Sequence, residues 1–138
     1  VREDEKRLFE LFPEVLMIDV TMKTNNEGRP LGITAAFDSD MKSFTPIRAF
    51  LPSECRWVFR WIWATAIPTL LGRDNLLRVQ LVLSDGDTNI YIPFDELREK
   101  LYPNAVHALC IYHKIVQALP KLDIWRKDDE IVKAMVHT

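Results

Sequence analysis

The stretch VLMIDVTMKTN, residues 15–25, reads as a strand interrupted by one charge. Val15 to Ile18 are apolar and run straight into Asp19, after which Val20, Thr21 and Met22 carry the same character onward. β-branched and aliphatic residues at this density favour an extended, half-buried segment over about residues 15–22. A carboxylate in such a place is costly unless something meets it: a hydrogen-bond donor, a proton or a metal ion. Thr21, Thr24 and nearby backbone amides could serve as donors, so the strand alone leaves both a bonded acid and a cation ligand open.

Working outward, EDEKRLFELF (3–12) sets Leu8, Phe9, Leu11 and Phe12 among charges and predicts an amphipathic helix ending at Pro13. On the other side NNEGRP (25–30) is a turn, since Asn and Gly tolerate left-handed backbone and Pro closes it. PLGITAAFD (30–38) and TPIRAFLP (45–52) predict a second and a third strand, joined by DSDMKSF. The period then changes. SECRWVFRWIWATAIPTLLG (53–72) predicts a long helix buried on more than one side, with Ser53 as N-cap, Glu54 in its first turn as a capping residue and Gly72 as its stop. RVQLVLSD (78–85) alternates into a fourth strand ending at Asp85, and PFDELREKLY (93–102) predicts a helix with Pro93 near its first turn. AVHALCIYH (105–113) is a fifth strand, with helical candidates KIVQALPKL and DDEIVKAMV after it.

The order is β-β-β-α-β-α-β-α. Three consecutive strands followed by alternation with helices predict an α/β fold with a mixed sheet of about five strands, antiparallel then parallel. That string is the connectivity of the ribonuclease H-like fold. In such a sheet the first and fourth strands are neighbours, so Asp19 and Asp85 converge. Two carboxylates brought together repel unless a cation lies between them, and Mg²⁺ commonly takes one or two carboxylates with water and phosphate oxygen.

Composition sets the outer limits. With 138 residues, 48% hydrophobic and 28% charged, the chain fits one domain with a real core. A net charge of −2, with acids and bases mixed throughout, lacks the basic excess of a self-sufficient nucleic-acid binder. Cys55 and Cys110 form no disulfide framework and fit an intracellular setting. The apolar run WVFRWIWATAIPTLL contains Arg60 and Pro68 and is too short for a bilayer, so no membrane partner is expected. The chain starts without Met, which reads as a piece of a longer protein.

Four segments, in order, resemble the transposase domain of the Mutator-like (MULE) elements, a DDE-type family of the ribonuclease H-like superfamily. MIDVTMKTNNEGRPL is similar to its first-acid segment, LPSECRWVFRWIW to its Glu-plus-aromatic helix, LVLSDGD to its second-acid segment and LYPNAVHALCIYHK to its Pro-x-Ala-x-His-x-x-Cys-x-x-His block. The resemblance covers residues 13–115, with residues 116–138 as the start of a helical insertion and the whole of 1–138 as one partial transposase core. It implies that Asp19 and Asp85 are catalytic acids holding Mg²⁺ or Mn²⁺, and that DNA, at transposon ends and target, is the partner through the full-length protein. It also implies nuclear localisation and possible assembly into homo-oligomers. The family's third acid is a Glu beyond the insertion, so this piece by itself is expected to be inactive even where its parent is an active transposase. A domesticated descendant that binds DNA or regulates transcription without cutting is the alternative.

Other residues have plainer readings. Asp87 in DGD is a helix cap or supports the neighbouring acid. Cys110 and His113 have half the spacing of a zinc site, but His107 is the one further ligand nearby, and strand alternation turns it away from Cys110. His113 is placed by the family block near DNA or the active site. Cys55 reads as a buried thiol, and at least two of Trp57, Trp61 and Trp63 are expected in the core. Glu130 is not assigned as the third acid.

Overall fold

The computed structural model describes residues 1–22 and 24–110. Helix α1 (Glu3–Leu11) leads into β1 (Val15–Thr21), which turns back as β2 (Leu31–Phe37). Two short strands follow, β3 (Ser43–Phe44) and β4 (Arg48–Phe50). Then α2 (Arg56–Trp61) passes through a π-helical turn (Ile62–Ala66) into α3 (Ile67–Leu71) and the short α4 (Arg73–Leu76). Last come β5 (Leu81–Ser84), α5 (Thr88–Leu101) and β6 (Val106–Leu109). The sheet runs β3-β2-β1-β5-β6, with β4 also on β2. β1 is antiparallel to β2 and parallel to β5, and β5 is parallel to β6. This is the ribonuclease H-like mixed sheet expected from the sequence. The helix expected after the fifth strand, the insertion over 116–138 and the readings of His113 and Glu130 lie outside the described residues.

The third strand differs from its expected form. Ala36 pairs with Phe44, but Ile33 pairs with Arg48, one residue out of step. The edge strand therefore carries one extra residue, as in a β-bulge. Pro46 explains the break, because it has no N–H for the ladder. The join is closed by one backbone and one side-chain bond: Thr34 N–H donates to the Ile47 carbonyl at 3.0 Å, and Ile47 N–H donates to Thr34 Oγ1 at 3.0 Å.

The long helix also departs from expectation. It begins at Arg56 with Cys55 at the N-cap, so Ser53 and Glu54 both lie before it and Glu54 does not cap it. Ser53 Oγ instead accepts from Cys55 N–H at 3.4 Å. Gly72 does stop α3, with φ +88°, a conformation that glycine adopts freely. Helix α5 starts five residues before the expected Pro93, which therefore sits inside the helix.

The core is one cluster. Leu16 and Ile18 of β1 and Val82 of β5 meet Val58, Phe59 and Trp63 from the long helix and Ile90 and Phe94 from α5. Each fully buried side chain of this size contributes about 1.5–3 kcal/mol relative to exposure. Trp63 is fully buried, yet Trp57 and Trp61 are 63% and 53% exposed, so the expectation of at least two buried tryptophans fails. The cause is helical spacing: four residues apart, Trp57 and Trp61 share the outer face that Trp63 leaves. Cys55, expected to be buried, is exposed at the helix start.

Candidate metal site at the carboxyl ends of two parallel strands

Burial along β1 alternates, with Leu16 and Ile18 in the core and Val15, Met17 and Asp19 between them half-buried. Asp19 thus follows the core positions onto the other face of the sheet. One of its oxygens accepts a hydrogen bond from Val20 N–H at 2.8 Å, so a backbone amide of the kind considered from the sequence does meet this acid.

Asp85 follows the last residue of β5. The parallel register pairs Val15 with Leu81, Leu16 with Val82 and Met17 with Leu83. Asp19 stands two residues beyond Met17, the last residue of β1 paired with β5, and Asp85 two residues beyond its partner Leu83, just past the end of β5. The two chains then part, β1 toward β2 on one side and β5 through α5 toward β6 on the other. In open α/β sheets the carboxyl ends of the strands are the usual place for a ligand.

The turn after β5 is tightly tied. Asp85 Oδ1 accepts from Asp87 N–H at 2.7 Å, and Asp87 Oδ1 accepts from Asn89 N–H at 2.9 Å, capping α5. The capping role read for Asp87 from the sequence is therefore the observed one. Ser84, 1% exposed, donates its hydroxyl to the Asp85 carbonyl at 3.0 Å. Ser84 Oγ also lies 2.8 Å from His107 Nε2 on β6. The Ser84 carbonyl accepts from Cys110 N–H at 2.7 Å, extending the β5–β6 pairing.

His107 is half-buried against two aromatic rings. Its ring stacks on Tyr91 at 5.5 Å between centroids and tilts against Phe94 at 5.6 Å. Its Nδ1 is 4.0 Å from Asp95 Oδ1, beyond hydrogen-bond reach. Burial pushes the imidazole below its ordinary pKa, Arg98 adds to that effect and Asp95 opposes it. Sequence reasoning read His107 as a member of the family block and as a possible zinc ligand, and passed over Ser84; a polar residue directly before the second acid was the available signal.

Among the described residues no group of three or more His, Cys, Asp or Glu side chains could hold a metal ion. Asp19 and Asp85 are both carboxylates, a donor type that suits a hard divalent cation keeping water and phosphate oxygen in its remaining positions. Among the described residues no helix is long and apolar enough to cross a membrane.

No family model matches the sequence, and no curated protein is similar to it. Among solved structures, the HTLV-2 integrase catalytic core domain, determined in complex with magnesium in a trimeric form, is similar with a TM-score of 0.45 and 13% identity. That match covers 90% of this chain and 80% of that one. At this level of likeness the fold is defined by the strand order of the chain itself.

Proposed function

We propose that the chain is the catalytic-core fragment of a Mutator-like DNA transposase, carrying two of the three acids for metal-dependent phosphodiester cleavage and strand transfer. The observation that supports this reading is the parallel pairing of β1 with β5 through Met17 and Leu83, with Asp19 and Asp85 each two residues beyond that pair. Asp19 and Asp85 would hold Mg²⁺ or Mn²⁺, and the third acid comes from outside the described residues. When bound, such ions polarise the scissile phosphate and favour the attacking hydroxyl. The chain's own part is to present two carboxylates from a rigid sheet, each already aligned by a backbone amide, Val20 N–H for Asp19 and Asp87 N–H for Asp85. DNA is the proposed partner, met through the full-length protein in the nucleus, because this chain's net charge of −2 supplies little phosphate attraction.

Strand cleavage and joining by the full-length protein on transposon-end DNA tests the proposal. Asp19→Asn and Asp85→Asn are expected to abolish both steps with DNA binding retained. Cleavage that survives either change would refute the assignment. A wild-type protein that binds DNA and never cuts it would instead be the domesticated form.

A further inference from the structure

We propose that His107, acting through the Ser84 hydroxyl, is a positioning residue that fixes the Asp85 carboxylate for the cation; this rests on the metal-site reading above. Ser84 has one hydroxyl proton, and it is given to the Asp85 carbonyl at 3.0 Å. The 2.8 Å contact with His107 Nε2 must then be filled from the other side, with Nε2–H donating to Ser84 Oγ. This defines the imidazole tautomer and a directed chain: His107 Nε2–H to Ser84 Oγ, and Ser84 O–H to the Asp85 carbonyl.

The chain ends in a turn with little slack. Three ties hold Asp85: Cys110 N–H on the Ser84 carbonyl of the peptide before it, Ser84 Oγ–H on the Asp85 carbonyl in the peptide after it, and Asp87 N–H on Asp85 Oδ1. With Oδ1 engaged by Asp87, the direction in which the carboxylate meets a cation is set by the two peptides that flank it. Ser84 is too buried, at 1% exposure, to reach a substrate, so its hydroxyl serves the turn. His107 is itself locked between the Tyr91 and Phe94 rings, which gives the chain a rigid origin in β6 and α5. Partners that orient a metal ligand from behind commonly change metal affinity 10–100-fold when removed.

The test is a Mn²⁺ titration of the 138-residue chain, read by paramagnetic broadening of the Asp85, Gly86 and Asp87 amide signals. Ser84→Ala and His107→Leu are expected to weaken binding about 10–100-fold. His107→Gln, whose amide can donate in place of Nε2–H, is expected to recover most of the loss. Thermal unfolding of each variant separates misfolding from loss of alignment. In the metal-free wild type, ring nitrogen shifts should show His107 protonated at Nε2 and not at Nδ1. The opposite tautomer, or wild-type Mn²⁺ binding by folded Ser84→Ala and His107→Leu while Asp85→Asn has lost it, would overturn the positioning role alone. Unchanged binding by Asp85→Asn would overturn the metal site and this role together.

Discussion

The Tyr102 hydroxyl donates to the Trp63 carbonyl at 2.8 Å, across the buried centre of the molecule. The π-helical turn makes this bond necessary. Ile67 N–H bonds back to the Ile62 carbonyl, five residues away, and Pro68 has no N–H to offer. Neither residue that could serve the Trp63 carbonyl within the helix is therefore available to it. Tyr102 supplies the missing donor, and its ring packs edge-on against Trp63 at 5.8 Å.

Tyr102→Phe should therefore cost about 1–3 kcal/mol, because it strands a buried acceptor while keeping the ring. Denaturant unfolding of the two proteins measures it. Burial also pushes the phenol well above its ordinary range. The Tyr102 phenolate signal should accordingly be absent from an alkaline titration until the protein unfolds. An equal stability for Tyr102→Phe would mean that the carbonyl finds another donor.

Glu5 and Arg48 join α1 to the edge strand through two hydrogen bonds of 2.8 and 2.9 Å. The Arg48 hydrogen bonds hold the Glu5 carboxyl below the usual carboxylate range, against the opposing effect of burial. A depressed carboxyl pKa contributes stability above its unfolded value and loses it as the pH falls through the folded one. Because Arg48 is 45% exposed, solvent screening limits the contribution, and Glu5→Gln should cost about 1 kcal/mol at neutral pH. Unfolding midpoints across pH should show the gap between Glu5→Gln and wild type closing below the ordinary glutamate range. A gap that persists in acid would assign it to packing.

The tryptophans should divide by position. Trp57→Phe and Trp61→Phe act on exposed rings and are expected to shift stability by no more than about 0.5 kcal/mol. Trp63→Phe loses the indole donor to the Ile90 carbonyl, a 2.9 Å bond, and part of the core, costing about 2 kcal/mol. Acrylamide quenching of fluorescence should fall when Trp57 and Trp61 are replaced and rise when Trp63 is.

Much of the architecture was legible in the chain because its patterns are local. Alternation in LVLS, the NNEGRP turn after β1 and the stop at Gly72 each follow from short-range sterics. The break at Pro46 was visible as a residue but not as a bulge, because the register shift depends on Thr34, thirteen positions from Ile47. The start of the long helix was misplaced because Ser53 and Glu54 have good capping chemistry that the chain does not use. The positions of Asp19 within the first strand and of Asp85 just past the strand beside it were legible from the pattern. The His107–Ser84 contact was not, since it joins residues 23 apart whose pairing only the β5–β6 register creates.

The central claim is that Asp19 and Asp85 together hold a divalent cation, and diffraction from crystals soaked in Mn²⁺ tests it most directly. The account predicts an anomalous peak shared by the two carboxylates, at about 2.1 Å from an oxygen of each, by analogy with Mg²⁺ sites. Carboxylates turned apart with no peak at either, under conditions where Mn²⁺ is in large excess, would contradict it.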